Sequence, residues 1–269
     1  MTRYADLDSQ RHINNASYLA YSAEGQISYL KKMGYDSESL LNNKTYLKPE
    51  MIYVSFFRQQ FAQVNLRIET IPYRYNTKVL WDQKIYNDEL NELSSHFQTI
   101  SSLPESFLQN IETLTEPLPL TDITLENFSG NCRRSVSNYE VRHIDLDGYN
   151  QCSNSVLWRF NEEARWCFLK EANIPFHFLI EKDTAPFWIN GIYNYHQDVQ
   201  LGDSLQVYTW ISKLDKVRMY IRQEMMKNGD QKVLSTEGEF LWISMGRLKP
   251  IRTPEFVKTA LRPYAEQIL

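Results

Sequence analysis

Apolar and polar positions along the chain sort it into helices and strands. From Ala16 to about Met33, the residues Tyr18, Leu19, Ala23, Ile27 and Leu30 recur at three- and four-residue steps, which predicts a helix. Asn14 or Asn15 suits its cap, because an asparagine side chain accepts a hydrogen bond from a first-turn N–H, and Gly34 suits the left-handed position after its last turn. A short strand from Thr2 to Leu7 and a loop from Asp8 to Asn14 should precede it. After it, Met51 to Phe57, Val64 to Ile71, Lys78 to Tyr86 and His96 to Ile100 read as strands, with Leu66, Ile68 and Thr70 on one face. Residues 104–132 hold Pro104, Pro117 and Pro119 and little periodicity, so they read as a linker. The order then returns. A strand from Val136 to Leu146 leads to a helix from Asn154 to Ala172. Strands follow over Phe187 to His196, Ser204 to Ser212, Val217 to Met226 and Lys232 to Met245, and a helix from about Pro254 to Ile268 closes the chain. Both long helices read as apolar nearly all round, which predicts a buried helix in a sheet that wraps it.

The recurrence is also one of residues. Aligning Arg3 with Arg142, an offset of 139 (142 minus 3), puts Asp6, Leu7 and Asp8 on Asp145, Leu146 and Asp147 without a gap. At that offset Asn15 falls on Asn154, Glu24 on Glu163, Leu30 on Leu169, and Thr70 on Thr209. So long a period implies a duplicated domain. The expected organisation is a first unit over 1–103, a linker over 104–132, a second unit over 133–253 and a terminal helix over 254–269.

Composition narrows the class. Of 269 residues, 42% are hydrophobic and 13% aromatic, enough for a packed core and too many for disorder. No run approaches the length of a membrane helix, and the N-terminal residues contain no apolar signal region. Three cysteines without zinc spacing read as reduced thiols in a cytoplasmic protein. A net charge of −4 argues against nucleic acid as a partner. The local basic groupings are Arg133-Arg134 and the set Lys213, Lys216, Arg218 and Arg222, which read either as solvated surface or as an anchor for a phosphate on a cofactor arm or carrier protein.

The densest chemistry lies in Asp6-Leu7-Asp8-Ser9-Gln10-Arg11-His12-Ile13-Asn14-Asn15, followed by Tyr18. This segment resembles the hotdog-fold acyl-ACP thioesterases, whose motif is close to Asp-Leu-Asp-x-Asn-x-His-Val-Asn-Asn with a tyrosine three residues on. The Asp-Leu-Asp part also resembles the hydroxybenzoyl-CoA-type thioesterases. The resemblance implies an α+β fold, a tandem double hotdog. It implies an acyl thioesterase that hydrolyses fatty acyl-ACP or acyl-CoA to free acid and thiol, with acyl carrier protein or coenzyme A as partner and no metal or redox cofactor. Asp8 and His12 match the family's catalytic Asp and His, and Gln10 stands where the family has Asn. A family Glu on the strand after the helix aligns roughly with Gln60, a departure, since an amide is not a carboxylate base. The full motif lies here in the first repeat, whereas the plant enzymes carry it in the second.

The chemistry can be argued from the residues as well. First-turn N–H groups around Asn15 and Ala16 are donors for a developing oxyanion. Asp8 could activate water or attack directly, His12 could orient water or share the base role, and Gln10 or Asn14 could position the carboxylate or a pantetheine amide. The acyl chain would lie along the apolar helix, with Tyr21 and Met33 shaping its end. Glu24, if buried in an apolar helix, would titrate high and is either a base or a hydrogen-bond partner. In the second repeat Asp147 survives, Gln151 replaces His12, Ser153 replaces Asn14, and Cys152 aligns with Ile13, which makes packing the expected role of that cysteine and the second site degenerate. Two rivals remain: a non-hydrolytic acyl-thioester or lipid-binding hotdog protein, and a hydroxyacyl dehydratase. A monomer and a homodimer are both compatible with two joined units.

Overall fold

The computed structural model describes residues 1–42, 48–115 and 125–268. Of the expected linker, residues 116–124 lie outside the described residues. The chain divides into two compact units, Met1–Ile123 with Asp147–Val156, and Thr124–Leu146 with Leu157–Leu269. Both Asp-containing loops, the one after Leu7 and the one after Leu146, therefore fall in the first unit.

The first unit runs α1 (Asn15–Lys32), α2 (Ser37–Asn42), β1 (Pro49–Phe56), β2 (Leu66–Tyr75), β3 (Lys78–Asn87), β4 (Glu92–Ser101) and α3 (Glu105–Leu108). Its strands pair antiparallel in the order β1-β4-β3-β2. The second runs β5 (Ser135–Glu140), α4 (Asn154–Glu171, entered from the first unit), α5 (Phe176–Glu181), β6 (Thr184–Tyr195), β7 (Ser204–Leu214), β8 (Arg218–Lys227), β9 (Gln231–Ser244), β10 (Lys249–Pro250), α6 (Glu255–Leu261) and β11 (Ala265–Ile268). Here the order is β6-β9-β8-β7, with β5 antiparallel to the first half of β7 and β11 parallel to its second half. The β8–β9 turn is carried by Asn228 and Gly229, both at positive φ, which these two residue types adopt most readily. Each unit is a mainly antiparallel sheet about one long helix, and the chain is a tandem double hotdog.

The helix–sheet contact explains how a helix with polar residues can be buried. Gly25 lets α1 approach β2 and β3 so closely that a Cβ there would lie 2.8 Å from both Gln83 Nε2 and Thr70 Oγ1. Gln83, fully buried, then ties helix to sheet. Its Oε1 accepts from Ser22 Oγ at 2.6 Å and Gln26 Nε2 at 2.9 Å, and its Nε2 donates to Ser22 O at 2.7 Å and Thr70 Oγ1 at 3.1 Å. The second unit repeats the tie. Gln223 Nε2 donates to Asn161 O at 2.9 Å and to Thr209 Oγ1 at 3.1 Å, and Arg165 donates to Gln223 Oε1 at 3.0 Å. Thr70 faces Gln83 across the β2–β3 ladder as Thr209 faces Gln223 across β7–β8. Beyond this polar clasp, Leu30, Val79, Trp81, Leu103, Phe107 and Leu108 close a buried apolar cluster. Each such side chain contributes roughly 1.5–3 kcal/mol by leaving water.

Four expectations are corrected. The long helices are not apolar all round: Ala20, Glu24 and Ser28 on α1, and Arg159, Glu163 and Cys167 on α4, form exposed four-residue stripes. The strand expected over Thr2 to Leu7 is instead a 3-10 turn, Tyr4–Asp6, because the Asp6 carboxylate accepts the Arg3 N–H and closes the chain on itself. The strand expected to reach Leu146 ends at Glu140, and a matching turn, His143–Asp145, follows. The terminal helix stops at Leu261, two residues before Pro263, which has no N–H to continue it, and β11 takes its place. Among the described residues no helix is long and apolar enough to cross a membrane.

Candidate active site

Two carboxylates shape the segment before α1. Asp6 is buried and accepts from the Arg3 N–H at 2.7 Å, Arg3 Nε at 3.2 Å, the Arg3 terminal nitrogen at 2.8 Å and Tyr21 Oη at 2.7 Å. Burial alone would raise its pKa, but the Arg3 guanidinium, the Tyr21 hydroxyl and the Arg3 N–H outweigh it and hold the carboxyl below its ordinary value. Asp8 folds the next turn. Its Oδ1 accepts the N–H of Gln10 at 2.8 Å and of His12 at 3.1 Å, and its own N–H donates to His12 O at 2.8 Å. Arg11 takes a φ of 67° within this Asx-type loop, and Leu7 bridges Ile13 across its base. Ile13 N–H donates to Gln60 O at 2.8 Å, fastening the loop to the segment after β1.

The backbone thus gathers Asp8, Gln10 and His12. The His12 ring does not bond the Asp8 carboxylate. It is half-buried and meets the Phe61 ring edge-on, centroids 5.5 Å apart. Burial lowers its pKa, opposed by the Asp8 charge, so the imidazole is neutral at neutral pH. Asn14 caps α1, its side chain accepting the Ala16 N–H at 2.8 Å. Ala16 is therefore not an open donor, contrary to expectation, whereas the Asn15 N–H has no acceptor among the described residues.

Other expected residues stand elsewhere. Glu24 lies on the exposed face of α1, because the positions that face the sheet are those of Ser22, Gln26 and Leu30. Gln60 is buried in the loop after β1 rather than on a strand, and its Oε1 accepts from Asn87 Nδ2 at 2.8 Å. Tyr21 is engaged with Asp6 rather than with an apolar tunnel, and Met33 is exposed at the end of α1. Arg134 is not a free anchor: its guanidinium lies 4.3 Å over the Phe128 ring and 4.5 Å over Tyr208 and pairs with Glu224 at 3.6 Å. In the other basic set, Arg218 pairs with Glu239 at 2.6 Å and Arg222 with Glu237 at 3.5 Å. Arg3, Tyr21 and Phe61 are site neighbours that the motif alone did not assign. The Arg3–Asp6 pair had a signal in the sequence, its recurrence as Arg142–Asp145; Phe61 had none.

The second loop repeats the backbone of the first without its imidazole. Asp147 Oδ1 accepts from the N–H of Tyr149 at 2.8 Å and of Gln151 at 3.2 Å, Asp147 N–H donates to Gln151 O at 2.8 Å, and Asn150 takes the positive φ of 58°. Asp145 is clamped by Arg142 as Asp6 is by Arg3. Cys152 is buried, its Sγ 3.9 Å from Ser153 O. Among the described residues no group of His, Cys, Asp and Glu side chains is arranged to hold a metal ion.

Comparison with known proteins agrees with this architecture. The model of the thioesterase-like superfamily matches residues 141–261. The 12:0-ACP thioesterase of Umbellularia californica superposes with a TM-score of 0.70 at 11% identity, over 90% of this chain and 91% of that one. A putative oleoyl thioesterase of Lactobacillus plantarum gives 0.69 at 12% identity, over 93% and 94%. An acyl-ACP thioesterase of Bacteroides thetaiotaomicron gives 0.65 at 11%, over 89% and 94%. No curated protein matches the chain by sequence. Residues 141–261 are thus similar to the thioesterase-like superfamily, and the whole chain has the fold of these solved structures.

Proposed function

We propose that the chain is an acyl thioesterase acting on fatty acyl-ACP or acyl-CoA, with its site at the Asp8–Asn15 loop. The observation that carries this reading is the loop itself: one Asx-type turn gathers Asp8 and a neutral His12 next to the start of an 18-residue helix whose Asn15 N–H is open. Water adds to the thioester carbon while its proton passes to Asp8 or to His12. The carbonyl oxygen gathers negative charge and takes the Asn15 N–H, aided by the helix dipole. The C–S bond then breaks, the thiolate takes up the proton, and the acid leaves. Gln10 positions the loop through its N–H, and Asn14 orders the helix start as its cap. Direct attack by Asp8, with an anhydride that water later opens, uses the same groups.

A non-hydrolytic acyl-binding role is the second reading. Favouring it, Asp147 builds the same turn in a loop that lacks the imidazole, so the carboxylate at this place also has a purely architectural use. Thiol release from a panel of acyl-ACP and acyl-CoA substrates separates the two. The hydrolytic reading expects release by the wild type and a loss of about a hundredfold or more in both Asp8→Asn and His12→Ala, the scale of an acid–base group. Acyl chains bound without thiol release would overturn it.

A further inference from the structure

The segment after β1 reverses the usual order of burial. Phe61 is 54% exposed, whereas Thr2, Gln60 and Asn87 are 2%, 4% and 5% exposed. Buried polar side chains are the informative ones, because each needs its partner in place, and these three all end on residues 60–64. Thr2 Oγ1 donates to Phe61 O at 2.8 Å and accepts the Val64 N–H at 2.9 Å. The Thr2 backbone adds its N–H to Val64 O at 2.9 Å and accepts the Gln63 N–H at 3.0 Å. From the other side Asn87, at the end of β3, donates from Nδ2 to Gln60 Oε1 at 2.8 Å, and its Oδ1 accepts the Leu90 N–H at 3.2 Å. Ile13 of the Asp8 loop closes the third side, its N–H on Gln60 O at 2.8 Å. The segment held in this way carries the one ring that meets His12 among the described residues, with centroids 5.5 Å apart. A left-handed residue that is not glycine lies within two positions of each ring, Arg11 (φ 67°) beside His12 and Gln63 (φ 64°) near Phe61. Such backbone persists where the surroundings over-determine it. Gln59 to Val64 contribute no charged side chain, so what they bring to the imidazole is exclusion of water. The charge that acts on the ring, Asp8, belongs to its own turn, as does Arg11, and Arg58 stands ahead of the segment.

We propose that Thr2, Gln60 and Asn87 are positioning residues that hold Phe61 against the His12 ring and so keep water from the imidazole. They act through Phe61 and touch neither the carboxylate of Asp8 nor the ring of His12. Thr2 fixes the far end of the segment and Asn87, through Gln60, its near end, so the phenyl ring between them has its place set from both sides. Release of either end lets the ring swing into solvent, where its exposed face already lies, and hydrates the imidazole. An ordinary imidazole environment then replaces the desolvated one, and the ring becomes easier to protonate.

Proton NMR titration of the full chain, following the His12 ring signal (identified by its loss in His12→Ala), tests the assignment. Thr2→Val keeps the branched shape and removes both hydroxyl bonds, and Asn87→Leu removes the amide at similar volume. In each, the His12 midpoint should move upward toward that of a free imidazole, about 6.5, as it should in Phe61→Ala. Thr2→Ser retains the hydroxyl and should keep the wild-type midpoint. The acid limb of kcat/KM should move with the midpoint in the same variants; this kinetic arm rests on the thioesterase reading, and the titration does not. Should Thr2→Val fail to fold by circular dichroism, Asn87→Leu alone carries the comparison. A lower Tm with an unmoved His12 midpoint in Thr2→Val and Asn87→Leu would show a purely structural role and overturn the proposal, as would a wild-type midpoint in Phe61→Ala. If the wild type releases no thiol from any substrate, the thioesterase reading falls and the titration still decides the three positions.

Discussion

Asp8→Asn and Asp147→Asn form a matched pair of perturbations. Each carboxylate holds its loop through two N–H groups, at 2.8 and 3.1 Å for Asp8 and at 2.8 and 3.2 Å for Asp147. Asparagine keeps an oxygen in that place, so the turn persists while both bonds lose their charge. A hydrogen bond to a charged group is worth about 1.5–3 kcal/mol and a neutral one about 0.5–1.5. At a half-exposed site, two such exchanges amount to a loss of about 1–2 kcal/mol in either variant. For a domain of this size that is a fall of roughly 2–8 °C in Tm, equal in the two because the geometries agree. Activity should separate them. The first loop alone carries an imidazole, and losing an acid–base group lowers the rate about 10²–10⁴-fold, which at 1.36 kcal/mol per decade is about 3–5 kcal/mol of barrier. Asp147→Asn should stay within about threefold of the wild type, under 1 kcal/mol. Thiol-release kinetics and thermal melts on the same preparations provide both numbers. An equal loss of kcat/KM in both variants, or full activity in Asp8→Asn with the expected fall in Tm, would refute the reasoning.

Three further outcomes follow from the same geometry. Burial lowers the pKa of His12, so its basic form persists to lower pH than for a free imidazole; the acid limb of kcat/KM should fall below about pH 6.5. Phe61→Ala, which opens the ring to water, should move that limb upward, and an unmoved profile would count against His12 as the base. Tyr21→Phe copies Phe160 of the second unit and removes a bond to Asp6, costing about 1–3 kcal/mol at neutral pH. The stability from a depressed carboxyl is present above its unfolded value and is lost as pH falls through its folded value. Acid unfolding followed by circular dichroism should therefore begin at higher pH in Tyr21→Phe. Gly25→Ala gains about 1 kcal/mol of helix propensity but drives a Cβ against Gln83 and Thr70, so urea melts should show a net loss of about 1–2 kcal/mol; a stabilised variant would show that the helix can lift away freely.

The sequence by itself determined the duplication, the long helices to within a residue or two, the existence of all eight principal strands and the Asp8–His12 segment. These signals are local. Three- and four-residue steps, β-branched runs and an ungapped recurrence need no knowledge of distant partners. Tertiary structure decided which polar residues are inside. The helical pattern marks Tyr18, Leu19, Ala23, Ile27 and Leu30 and passes over Ser22 and Gln26, yet the clasp buries those two because Gln83, some sixty residues away, meets them across the sheet. Likewise the Ala16 N–H is open or closed according to the rotamer of Asn14, and Arg134 is an anchor or a packed cation according to rings at positions 128 and 208. A buried polar group is tolerated only with its partner in place, and that partner is chosen by the fold rather than by the neighbours in the chain.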